Sequence, residues 1–102
     1  MTIPAGVTKI DNYAFYGCTG LTSVIIPDSV TKIGISAFNG CSLTSVTIPD
    51  GVTAIQVAAF QNCSSLTTVN YKGTQKQWGQ ISIGGYNENL TNATINYNYT
   101  GE

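Results

Sequence analysis

The stretch IPDSVTKIGISAFNGCSLTSVT, residues 26–47, decides how this chain folds, because it comes back on both sides of itself. Ile3-Pro4, Ile26-Pro27 and Ile48-Pro49 recur at spacings of 23 and 22. Val7, Val30 and Val52 keep step, as do Ile10, Ile33 and Ile55. Ala14-Phe15, Ala37-Phe38 and Ala59-Phe60 follow, then Cys18, Cys41 and Cys63. Leu21, Leu43 and Leu66, with Val24, Val46 and Val69, close each copy. The spacing changes phase between Cys41 and Leu43, where "CTGL" and "CSSL" flank the shorter "CSL". Loops lose residues while their neighbours hold register.

Self-similarity at this period means a solenoid, since one unit alone cannot bury its apolar face and neighbours must stack. The recurring apolar positions are the expected core. A short strand around Val24 points that residue inward and Ser23 and Ile25 outward. A second extended run is expected over residues 30–33. "AFYGC" reads as a tight turn or one helical turn ended by glycine. "PDSV" and "PDGV" read as turns, proline fixing φ and aspartate bonding its own backbone.

The motif resembles the BspA-like leucine-rich repeat, the bacterial-surface type with repeats of about 23 residues. The resemblance covers residues 1–70 as about three repeats, and residues 71–102 resemble the C-terminal cap common in that family. It implies a mostly β, right-handed solenoid with a parallel concave sheet, short second strands and turns, forming one structural domain with its cap. It also implies an extracellular or cell-surface protein with interaction roles, including adhesion to host proteins.

Composition narrows the function. The chain has 102 residues, enough for one core, and only 9% are charged. Net charge is −1, with no histidine, so a basic footprint for nucleic acid or anionic lipid is missing. No apolar run approaches the roughly 18 residues of a membrane span. The opening MTIPAGVTKI has no signal-peptide pattern.

The three cysteines occupy one column, which predicts inert buried thiols. An in-column disulfide would need side chains turned toward each other, and three is odd. Zinc and thiol catalysis both lack a histidine. Asp28 and Asp50 share a turn position and could flank a cation or serve as acid and base, but the turn role explains both. Lys9 and Lys32 share a column with Ala54, a solvated basic face. Phosphate loops and nucleophile elbows are absent from the sequence. The reading is therefore of a non-enzyme with no cofactor or metal. Asn-x-Ser/Thr sequons start at Asn62, Asn89, Asn92 and Asn98 and matter only in a glycosylating host.

The expected platform for a protein partner, extracellular matrix or host surface among the candidates, is the outward column pair of the concave sheet. These residues are Ser23, Ile25, Ser45, Thr47, Thr68 and Asn70. Ile25 is either an anchor or a tolerated exposed apolar residue. The alternatives are glycan binding through Tyr86, Tyr97 and Tyr99, whose rings could instead pack in the cap, and a structural spacer without ligand. In that cap, Trp78 and Ile81 are expected to cover the last coil, "TQKQWGQI" to form a short helix and "ATINYNY" to close the sheet. The first repeat lacks its own Leu–Val strand, so its edge is expected to be unpaired and to support a homodimer.

Overall fold

The computed structural model describes residues 1–101; Glu102, the last residue of the expected cap, lies outside them. Four coils stack: residues 3–25, 26–47, 48–70 and 71–96. Each adds one strand to each of two parallel sheets. The longer strands are β2 (Ser23–Ile25), β4 (Ser45–Ile48), β6 (Thr68–Tyr71) and β8 (Thr94–Asn96), paired in that order. The shorter ones are β1 (Lys9–Ile10), β3 (Lys32–Ile33), β5 (Ala54–Ile55) and β7 (Ser82–Ile83). Two short helices, α1 (Gln75–Gly79) and α2 (Glu88–Thr91), belong to the last coil. The first coil has a partial fifth rung beneath it, for Thr2 bridges to Ile25 and the Ile25 N–H donates to the Met1 carbonyl at 2.8 Å.

The core follows the repeat. Val24, Val46, Val69 and Ile95 stand in register on one side of the interior. Ile10, Ile33, Ile55 and Ile83 do so on the other. The phenylalanines form the expected spine: Phe15 stacks on Phe38 at 5.2 Å and 4°, and Phe38 on Phe60 at 5.3 Å and 14°. Such contacts add about 0.5–1.5 kcal/mol per pair beyond the area they bury.

The turn holding each phenylalanine is bracketed by left-handed residues. Tyr13, Ser36 and Ala58 open it, at φ 54 to 61°, and Gly17, Gly40 and Asn62 close it; Tyr86, at φ 63°, opens the matching turn of the fourth coil, which has no phenylalanine. Backbone bonds then run from coil to coil. The Phe15 N–H donates to the Ala37 carbonyl at 2.7 Å, and the Phe38 N–H to Ala59 at 2.8 Å. The thiols join this ladder, Cys41 Sγ donating to the Phe15 carbonyl and Cys63 Sγ to Phe38, each at 3.1 Å. A valine in the column would fill the space but leave that bond unmade. Burial pushes the Cys41 thiol up and the Cys63 thiol to about 11, with a smaller contribution at Cys63 from the Cys41 charge.

In the last coil the pattern is kept by substitution. Tyr71 takes the place of Ile48 in register, and Trp78 packs edge-on to it at 5.0 Å and 67°. Thr74 and Gln77 cap α1 reciprocally, each side chain accepting from the other's backbone N–H. A Cβ at Gly73 would fall 2.7 Å from Tyr71 Cε2, so the chain can cross that ring only as glycine. Asn87, 2% exposed, replaces a backbone group: its Oδ1 accepts from the Phe60 N–H at 2.9 Å. Its Nδ2 donates to the Gln56 and Gly84 carbonyls at 3.0 and 2.9 Å. The segment "SIGGYN", whose paired glycines read as a turn, contains β7 as well.

Candidate interaction face

The β2–β4–β6–β8 sheet presents two outward columns, set by the alternation of side chains along each strand. One is Ser23, Ser45, Thr68 and Thr94; the other is Ile25, Thr47, Asn70 and Asn96. Sequence reasoning brought the first three of each together, and the register aligns them. It did not extend the face to Thr94 and Asn96. The signal was present, for "TVNY" at 68–71 returns as "TINY" at 94–97. The Asn96 amide donates to Asn70 Oδ1 at 3.0 Å, so the two side chains form an amide ladder.

Exposure along the columns is uneven. Ser23, Thr94 and Asn96 are exposed, and Ser45, Thr68, Ile25 and Asn70 are half-buried. Thr47 corrects the expectation of a surface contact, being only 4% exposed. It lies on the central strand β4, in register between the longer side chains of Ile25 and Asn70. Contact on either side of Thr47 therefore falls to Ile25, on the edge strand β2, and to Asn70.

A recess of about 340 Å³ opens beside Ile25, with Ala5, Pro27 and Ser29 in its walls. Its rim carries an ion pair that the sequence did not suggest, Lys72 Nζ to Asp28 Oδ1 at 3.2 Å. The lysine stem reaches from the fourth coil past the third to the second. Asp28 is thereby engaged by a cation from its own chain. Among the described residues no three of His, Cys, Asp and Glu converge in a metal-binding arrangement.

The tail tyrosines occupy separate places. Tyr86 is exposed in the turn between β7 and α2, whereas Tyr97 and Tyr99 are half-buried beyond β8, and the Tyr99 N–H donates to the Tyr71 carbonyl at 2.9 Å. No ring pair joins Tyr86 to either of them among the described residues.

A stacked parallel solenoid with this motif defines a leucine-rich repeat protein. Residues 1–101 match the BspA type Leucine rich repeat region in six copies, and the chain belongs to that family. Its structure is similar to that of a leucine-rich repeat protein of T. pallidum, with a TM-score of 0.64 and 34% identity over 70% of this chain and 39% of that one. A weaker likeness, TM-score 0.40 and 29% identity, is to a leucine rich cell surface protein of Faecalibacterium prausnitzii, over 80% of this chain and 34% of that one. The chain thus spans well under half the length of either. No curated protein matches it. No described helix is long and apolar enough to cross a membrane.

Proposed function

We propose that the chain is a non-catalytic protein-interaction module of a bacterial cell-surface or secreted protein, and that it binds through the β2–β4–β6–β8 face. The observation that carries this reading is Ile25. It is an outward, half-buried isoleucine among hydroxyls and amides, next to a recess of about 340 Å³. An apolar side chain at the edge of the sheet, with adaptable polar groups beside it, is a layout that an interaction anchor can use. Membership of a repeat family built of interaction modules supports it. Adhesion to host or matrix proteins is the finer form of the proposal.

The test is binding of the purified chain to arrayed extracellular-matrix proteins and glycans, beside an Ile25→Asp, Ser45→Asp double variant. Loss of a protein hit in the variant is the expected result. A hit that survives the variant moves the site elsewhere, and silence across the array favours a spacer. Glycan hits lost on mutating Tyr86 and Tyr99 favour the tail instead. Self-association through the first coil is a further part of the proposal. There Tyr13 and Tyr16 are exposed, edge-on to one another at 5.8 Å, beside half-buried Phe15. Sedimentation should show mass rising with concentration, and a strict monomer would count against it.

A further inference from the structure

The other sheet carries a recess of its own, about 500 Å³, within the range of small-molecule sites. Its floor depends on Gly34. A Cβ there would fall 2.6 Å from Asn12 Oδ1 and 2.7 Å from the Asn12 nitrogen. Without one, the Asn12 side chain lies against the second coil, and its Oδ1 accepts from the Ile35 N–H at 2.8 Å. That bond fixes the amide's orientation and leaves Nδ2 as the group free for the recess. Gln56 lines another wall.

Lys9 and Lys32 complete the walls and stand in direct register on β1 and β3. Like charges placed opposite one another on neighbouring strands repel, and an anion between them relieves that repulsion. The only acid in the lining, Asp11, lies 4.0 Å from Lys9 and is 77% exposed. Lys32 makes no ion pair among the described residues. Half of the chain's four lysines thus face one concavity in a protein of net charge −1.

We propose that this recess binds a carboxylate-bearing saccharide residue of the uronic acid class. The two ammonium groups take the carboxylate. The Asn12 and Gln56 amides and the Asp11 carboxylate take ring hydroxyls, the first two as donors and the last as acceptor. An acidic peptide side chain would use the lysines and leave those three groups idle, which is why the saccharide is the better fit. The site is separate from the β2–β4–β6–β8 face, so this inference stands whether or not that face binds protein. Both lysines are exposed, so affinity should be weak, with a dissociation constant on the order of millimolar, and should fall as salt is added.

Chemical-shift titration of the isotope-labelled whole chain tests it, with methyl glucuronide, methyl glucoside and a terminally blocked glutamate peptide as probes. The expected result is shifts at Lys9, Asn12, Lys32 and Ile35 with the glucuronide, and binding at least about tenfold weaker for the glucoside. K32Q should weaken the glucuronide to a similar degree, while K76Q, on α1, should leave it unchanged. Equal binding of glucoside and glucuronide would overturn the proposal. So would a glutamate peptide that binds as well as the glucuronide, an unaffected K32Q variant, or shifts centred on Lys76.

Discussion

The second and third coils differ from the fourth in how they meet the same demand. Where the first coil meets the second and the second meets the third, the phenylalanine N–H finds a carbonyl of the next coil, at Ala37 and Ala59, and each ring finds another ring. In the fourth coil both the phenylalanine and the matching carbonyl are gone. Asn87 Oδ1 stands in for the carbonyl, and the amide's two donors close onto Gln56 and Gly84. Tyr71 and Trp78 fill volume that isoleucine and the next turn fill elsewhere. A solenoid therefore continues by repetition where it is long, and ends by side chains that imitate the missing backbone. The difference matters because an unpaired buried N–H costs about 1–3 kcal/mol, so the final coil must supply an acceptor.

The largest break in the comparison should come from the spine. Phe38 is stacked on both faces, and Phe38→Ala should cost about 3–5 kcal/mol in urea melts. Phe15, stacked on one face and half-buried, should cost clearly less when cut to alanine. A loss below about 1 kcal/mol at Phe38 would place it outside the core.

Asn87→Ala comes next, at about 2–4 kcal/mol, because it strands the Phe60 N–H and two carbonyls at once. Asn87→Asp keeps an acceptor for Phe60 but turns a buried carboxylate oxygen toward the Gln56 and Gly84 carbonyls, so it should cost at least as much at neutral pH. If the alanine variant melts like the parent, the amide imitates nothing.

A third prediction uses pH. The Cys63 thiol titrates at about 11 when folded, against 9.0 for the ordinary thiol, because burial opposes its charge. The unfolded chain releases that proton first, so stability is intact below pH 9.0 and declines as pH rises toward about 11. Urea midpoints measured across this window should fall, and Cys63→Val should fall less. The same burial leaves half-buried Cys18 as the thiol that reacts first with alkylating reagents in the native protein.

The smallest effect is a gain. Ala58 sits at φ 61°, where glycine is at ease and alanine is strained. Ala58→Gly should stabilise by roughly 0.5–1 kcal/mol, less the small loss of a buried methyl. Destabilisation of that size would mean that the methyl's packing outweighs the backbone strain.

Much of the fold was legible because stacking writes itself into the sequence as a period. Ile10, Ile33 and Ile55 face one interior only because each coil places them alike, and the eye can find that spacing. What has no period was missed. Asn87 acts once, and nothing in "GGYNENL" marks its amide as a substitute carbonyl. The strand β7 hid in "SIGG" because Gly84, which allows close approach to Val57, reads with Gly85 as a turn. The Lys72–Asp28 pair joins residues 44 positions apart, and spacing within one coil cannot disclose it. At the candidate face, alternation gave the outward columns correctly. It could not give the depth of Thr47, which depends on the size of its register neighbours rather than on its direction.

The central claim is that residues 71–96 form a coil of the same solenoid, locked by Asn87 onto the one before. Native-state hydrogen exchange of the Phe60 amide tests this most directly, with the Phe38 amide as its internal standard. Protection of Phe60 close to that of Phe38 in the parent chain, and lost selectively in Asn87→Ala, is the result this account predicts. A Phe60 amide that exchanges like an exposed turn in the parent chain would contradict it.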